Sequence, residues 1–363
     1  MQKFSITIPM FSVKHHGGTR ILLQLANSLV EKGHNVIILT PEDKYAPIYP
    51  VDKRIQIKFT SRVGEEKIFY FKTLIEFIFK IPKVDFILAN FFPTFYPSLL
   101  AEKIGKGKLI YFPQGIGETY PSFKGIASLF IKTIETFSFK FKVPIVTTSQ
   151  YQRESVLKLN KNAFFKKIPF GLLENTFYPE FKLDDNKNKK KLLYFARKEK
   201  IKGLDDFLEA LNILIKKNLK FELWLISREK EILSKFDYSK EKIKIKTFSS
   251  LDDKELRRIY SQVYLLVNSS WVEGFCLPVL EAMACGTPSV MTDSGGPKEY
   301  AIHNYNCLIV PPKRPDLLAK AIQKLLLDEQ LREKLTTNGL ESAKKYKFSK
   351  FAEEFERFLL DFK

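Results

Sequence analysis

Two glutamates, Glu273 and Glu281, stand in a dense run, Asn268-Ser269-Ser270-Trp271-Val272-Glu273-Gly274-Phe275-Cys276-Leu277-Pro278-Val279-Leu280-Glu281. Carboxylates accept hydrogen bonds, so the pair could hold neighbouring hydroxyls of one polyol ligand. A helix-capping glutamate and a surface glutamate fit the same residue types equally well. Apolar residues end at Asn268 as a strand would, and Pro278 suits a first helical turn. Glu273 then falls in a loop with Gly274, and Glu281 about one turn into a helix. The free amides of such a loop, with the helix N-terminus behind them, make a donor-rich place for a phosphate or sugar oxygen.

Other residues add charge and room. Arg197 and Lys202 follow a second apolar run and could clamp a diphosphate, the guanidinium forking across two oxygens and the ammonium acting as a point charge. Gly17-Gly18 precedes a helix and would let a ligand approach bare backbone. Four histidines (His15, His16, His34, His303) and three cysteines (Cys276, Cys285, Cys307) make no HExxH, no CxxC and no disulfide framework, so no metal site is expected. His15 and His16 read as loop or acceptor-side residues. No histidine near Cys276 in sequence would lower its pKa, which makes it a bystander thiol.

The elements that must carry these residues alternate. Lys3–Pro9, Asn35–Thr40, Phe86–Asn90, Leu109–Pro113 and Ile145–Ser149 read as strands, with a helix over Thr19–Lys32 closed by Gly33. A polar stretch, Asp184 to Lys191, interrupts the pattern. It restarts with strands at Leu192–Ala196, Phe221–Ile226, Ile243–Phe248, Tyr264–Asn268 and Ser289–Thr292, and ends in three helices. Repeated strand–helix–strand units predict an α/β protein with parallel sheets. The expected division is an N-terminal domain over 1–172, a linker over 173–191, a C-terminal domain over 192–345, and a helix over 346–363 packing back toward the N-terminal domain. A ligand would sit in the cleft between the two α/β halves, beyond the strands' carboxyl ends.

Composition narrows the class. The 363 residues are 45% hydrophobic and 28% charged, which excludes a disordered chain. No stretch approaches the ~20 apolar residues of a spanning helix, and Met1–Pro9 is too short to be a signal peptide. A soluble cytoplasmic protein is expected. Net charge is +19, and residues 1–172 carry 25 Lys+Arg against 12 Asp+Glu, while the rest carries 35 against 29. An anionic partner suits the basic half, although a generally lysine-rich surface would give the same excess. Segment 64–142 is rich in phenylalanine, with Lys124, Lys132, Lys140 and Lys142 among the aromatics. A helix near Ile126–Phe139 could lie on an anionic membrane, or the rings could be core with snorkelling lysines. No RNP, zinc-finger or helix-turn-helix pattern supports nucleic-acid binding, the distant alternative for a chain this basic.

Glu273 and Glu281 form Glu-x7-Glu within EGF-x-LP-x-x-EAMACGTP, followed by Gly295-Gly296-Pro297-Lys298-Glu299. This resembles the retaining glycosyltransferases of family four, with the GT-B fold of two Rossmann-like domains facing across a cleft. Gly17-Gly18-Thr19-Arg20, Gly33-His34-Asn35-Val36, Ile168-Pro169-Phe170-Gly171, Ala196-Arg197 and Lys202-Gly203 fall in the family's order. The resemblance implies transfer of a hexose from a nucleotide diphosphate sugar, a substrate and not a cofactor, to a glycan or lipid-linked acceptor at the inner face of the membrane. It makes Glu281 a ribose ligand, and Glu273, Arg197 and Lys202 the catalytic group. The amides of Gly274, Phe275, Cys276 and Leu277, with Gly17 and Gly18, would bind the donor.

Departures are equally specific. Gln114 stands where the family often has histidine; it could contact a sugar hydroxyl but cannot act as acid or base. Ser227-Arg228-Glu229-Lys230 replaces a usual glycine pair, Ser269 stands where proline is common, and Cys307 where glycine is common. No Asp-x-Asp occurs, which favours metal-free activation. Glycogen, trehalose or sucrose synthase-type enzymes and sugar phosphorylases are the alternatives sharing this fold.

Overall fold

The computed structural model of the protein describes residues 2–11, 17–41, 49–61, 67–115, 126–180, 190–236, 243–249 and 251–363. Its contacts divide it into two units. One holds the described residues up to 115, 126–169 and Ser349–Lys363; the other holds Phe170–Phe348.

The first unit begins with β1 (Ser5–Pro9), α1 (Gly17–Glu31), β2 (Asn35–Pro41), β3 (Gln56–Thr60), α2 (Lys67–Lys80) and β4 (Phe86–Ala89). It continues through α3 (Phe92–Lys103), β5 (Lys108–Tyr111), α4 (Ile126–Ser138), β6 (Ile145–Thr147), α5 (Gln150–Leu159) and β7 (Phe165–Lys167). The seven strands form one sheet in the order β3-β2-β1-β4-β5-β6-β7, parallel throughout. Strands buried on both faces need continuous apolar runs, and β1, β2 and β4 supply them. Helix α1 buries Ile21, Leu22, Leu25, Ala26 and Leu29 at helical spacing and ends at Gly33, whose φ of 88° no side chain adopts readily. Phe77, Phe95 and Phe139 are fully buried, whereas Phe79, Phe130 and Phe137 stand exposed, so the phenylalanine-rich segment is part core and part surface. Phe123, Lys124 and the side chain of Ile126 lie outside the described residues, as does most of the polar stretch after Asp184.

The second unit runs β8 (Lys191–Phe195), α6 (Leu204–Lys216), β9 (Glu222–Ile226), α7 (Lys230–Leu233), β10 (Lys244–Phe248) and α8 (Asp253–Gln262). Then come β11 (Leu265–Asn268), α9 (Leu277–Ala284), β12 (Ser289–Thr292), β13 (Leu308–Val310), α10 (Pro315–Leu327) and α11 (Glu329–Ala343). Its parallel sheet has the order β10-β9-β8-β11-β12-β13. Leu192, Tyr194, Leu223, Leu225, Leu265 and Val267 face α6 and α10 in one apolar core. The last helix, α12 (Phe348–Leu360), belongs from Ser349 onward to the first unit. There Phe351 and Phe355 pack on Phe112, and Glu356 bonds the buried His34 at 2.8 Å.

Strand order locates a site in each unit by itself. Chain direction across the sheet reverses between β1 and β4 in the first unit and between β8 and β11 in the second. Loops leaving the carboxyl ends of such a strand pair diverge, and the crevice between them is where open α/β sheets bind ligands.

Candidate active site

In the second unit the loops after β8 and β11 carry the residues singled out from sequence. Arg197 lies two residues beyond β8, half-buried, and makes no hydrogen bond or ion pair among the described residues. Lys202 sits in a single 3-10 turn, Lys200–Lys202, that ends at Gly203 with φ 67°. Its ammonium donates to Glu273 Oε1 at 2.8 Å. Burial by itself would lower the Lys202 pKa, but the adjacent Glu273 carboxylate outweighs it and the net shift is upward. Lys202 therefore stays charged at neutral pH. An ammonium has three N–H donors; Glu273 takes one, and two remain.

Glu273 is fixed through its backbone. Its N–H donates to the Ser294 carbonyl at 2.8 Å, and its own carbonyl accepts from Gly296 N at 2.9 Å. A Cβ on Gly296 would meet the Gly274 carbonyl oxygen at 2.1 Å, so only glycine permits this approach. Cys276 follows in a left-handed conformation (φ 65°, ψ 67°) directly before α9. That conformation costs a non-glycine residue ~1–2 kcal/mol, and the Tyr300 hydroxyl, which donates to the Cys276 carbonyl, helps hold it. The N–H groups of Phe275, Cys276 and Leu277 have no acceptor among the described residues. A left-handed residue leading into a helix turns consecutive amides toward one side, as anion-binding nests do. The Cys276 side chain is no nucleophile: burial above all, and then the Glu273 charge, push its thiol well above the usual range. Glu281 is buried on α9 and accepts a 3.0 Å bond from the Tyr260 hydroxyl.

A supporting network escaped the sequence reading. The Ser269 hydroxyl lies 2.8 Å from the Gly203 carbonyl and 3.1 Å from that of Lys202, and Tyr194 OH lies 3.0 Å from Ser269 Oγ. Trp271 N donates to the Ile201 carbonyl at 2.7 Å, and its indole N–H to Asp206 Oδ2 at 2.6 Å. The cationic loop and the acidic loop are thus fastened together by Ser269 and Trp271. The one hint in the sequence was Ser269 itself, where proline is common.

In the first unit Gln114 Nε2 donates to the Gly18 carbonyl at 2.9 Å, and a Cβ on Gly18 would fall 1.5 Å from Gln114 Oε1. A side chain at Gly18 would therefore push the Gln114 amide aside. Gly17 has open space where its Cβ would be. His15 and His16 lie outside the described residues. Among the described residues no group of three His, Cys, Asp or Glu is placed to hold a metal ion.

Two family models match the chain, Glycosyl transferases group 1 over residues 179–342 and Glycosyltransferase Family 4 over residues 15–164. The chain belongs to this glycosyltransferase family. An uncharacterized glycosyltransferase from Methanocaldococcus jannaschii is 29% identical over 46% of this chain, a match covering 44% of that relative's length. The N,N'-diacetylbacillosaminyl-diphospho-undecaprenol alpha-1,3-N-acetylgalactosaminyltransferase of Campylobacter jejuni is 24% identical, over 91% of this chain and 93% of its own. The sucrose-phosphate synthase of Thermosynechococcus elongatus shares the fold at a TM-score of 0.84, with 19% identity over 99% of this chain and 98% of that one. HepE of Anabaena, solved with UDP-glucose, follows at 0.78, with 15% identity over 99% of this chain and all of its own. The α/β class expected from sequence, and its GT-B assignment, are what the structure shows.

Proposed function

We propose that the protein is a retaining, metal-independent hexosyltransferase that takes a UDP- or GDP-linked sugar as donor. The observation that carries this reading is the Lys202–Glu273 pair at the β8/β11 reversal, with the uncommitted Arg197 on the same loop. As the sugar–oxygen bond breaks, negative charge builds on the leaving diphosphate. Arg197 and the two free N–H groups of Lys202 neutralise it, joined by the amides of Phe275 to Leu277. Glu273 orients Lys202 through Oε1, and its Oε2, which has no partner among the described residues, accepts a hydroxyl of the transferred sugar. Glu281 holds the nucleotide ribose. With charge stabilised on the leaving group, the acceptor hydroxyl attacks from the same face and gives its proton to the departing phosphate, retaining the anomeric configuration.

The acceptor is a glycan or lipid-linked sugar; the name of the Campylobacter relative carries a diphospho-undecaprenol-linked acceptor. A lipid-linked acceptor would bring the protein to an anionic membrane surface. Thermal-shift screening against UDP-glucose, UDP-N-acetylglucosamine and GDP-mannose selects the donor, and turnover with added chelator then tests metal independence. Arg197→Ala and Lys202→Ala each lower turnover at least ~10-fold, about 1.4 kcal/mol on the barrier. Either variant at full rate would remove the clamp.

A further inference from the structure

Tyr260, near the end of α8, is fully buried and meets the elements of the second unit's site on several sides. Its hydroxyl donates to Glu281 Oε2 on α9 at 3.0 Å. Its carbonyl accepts from the Thr287 hydroxyl, just past α9. Its ring centre lies 6.2 Å from that of Phe195, the last residue of β8, and 6.2 Å from that of Phe177. Three residues earlier, Arg257 stacks on Tyr178 at 4.2 Å and donates to the Thr176 carbonyl at 3.3 Å, which fastens α8 to the segment before Glu180. A ring packed in this way has one position, so the phenol oxygen is a fixed point beside Glu281.

We propose that Tyr260 is a positioning residue for the nucleotide: it sets the plane of the Glu281 carboxylate so that the acid takes both ribose hydroxyls. Two neighbouring hydroxyls share one carboxylate only when its two oxygens face them together. Glu281 is 3% exposed, with little room to turn toward a ligand, so that angle has to be set before the donor arrives. A buried carboxylate also needs hydrogen bonds to offset its lost water, and many donors would meet that need. Rigidity sets this one apart. A lysine or serine could follow the carboxylate as it swings, whereas the Tyr260 ring, held between Phe195 and Phe177, cannot. Phe195 stands two residues before Arg197, so the same ring keeps the ribose acid in register with the loop that clamps the diphosphate. The inference deepens the proposed function and rests on its assignment of Glu281 to the ribose.

The test uses the full chain and the donor chosen by thermal shift. Turnover gives kcat and KM, and titration calorimetry gives Kd for the donor's nucleoside diphosphate and for its 2′,3′-dideoxy form. The wild type should bind the diphosphate at least ~10-fold tighter than the dideoxy form, because an acid built to accept two hydroxyls is left unpaired without them. Tyr260→Phe keeps the ring and loses the bond. Its donor KM and diphosphate Kd should rise roughly 10-fold, the low end for a hydrogen bond to a charged group. Its kcat should stay within about twofold of wild type, as for lost ground-state binding, and dideoxy binding should not change. Equal weakening toward both diphosphates would mean a loosened core and overturn the inference, as would an unchanged KM. Glu281→Ala tells the two levels apart. If it abolishes the preference for ribose while Tyr260→Phe keeps it, Glu281 holds the ribose and Tyr260 does not position it. If it leaves the preference intact, the ribose assignment falls and the inference falls with it.

Discussion

Adding one methyl group at Gly296 should displace the loop that holds Glu273. The new Cβ of Gly296→Ala would lie 2.1 Å from the Gly274 carbonyl oxygen, 2.2 Å from its carbon and 2.5 Å from the Glu273 oxygen. All three are backbone atoms, so no side chain can swing aside. Reaching even the 3.0 Å below which real Cβ contacts essentially never fall requires a shift of about 1 Å. The shift stretches the Gly296 N to Glu273 O bond and the Glu273 N to Ser294 O bond, now 2.9 and 2.8 Å. It also carries Glu273 away from Lys202. A displacement of about 1 Å in a positioned group is worth ~100-fold in rate, or about 2.7 kcal/mol on the barrier. The assay is initial-rate turnover of the donor chosen by thermal shift, beside a melting curve that separates a displaced loop from an unfolded unit. A variant that turns over at the wild-type rate with unchanged melting would refute the claim that the β11 loop is set by this backbone contact.

Two further outcomes follow from the same geometry. Gly339→Ala, inside α11, places its Cβ 3.4 Å from the flexible Met283 side chain and should stabilise the fold by ~0.5–1 kcal/mol with turnover unchanged. A lowered melting temperature would count against the contact. Burial by itself would raise the Glu76 pKa, but its bonds from Ser61 and Lys80 bring it down to about 2 from 4.5. A depressed carboxylate stabilises the fold above its unfolded pKa and loses that contribution as pH falls through the folded one. Acid denaturation should therefore steepen between pH 4.5 and about 2, and Glu76→Gln should flatten that limb. An identical limb in the variant would show that the carboxylate contributes nothing there.

The parts of the fold legible in the sequence are those that bury continuous apolar runs. Strands β1, β2, β4, β8 and β11 announce themselves because both their faces are covered. Strand β3 does not: it is an edge, and of its five residues only Thr60 is buried. Helix α3 is disguised by Pro93 and Pro97, residues that normally end helices; Pro93 sits in the first turn, where its missing N–H costs nothing. In the site, Arg197, Lys202, Glu273 and Glu281 are legible because their spacing follows strand–loop–helix units. The network beneath them is not, because Tyr194, Gly203 and Ser269 meet only through the lateral pairing of β8 with β11. Gly18 has a partner that no spacing announces: Gln114, far along the chain, whose amide donates to the Gly18 carbonyl.

The buried bond from Tyr194 to Ser269 ties the evolutionary freedom of two distant positions together. Proline at 269 would take away the phenol's nearer partner and leave it only the Lys202 carbonyl at 3.4 Å. Phenylalanine at 194 would then cost less than it does beside serine, so the two positions should tend to change together.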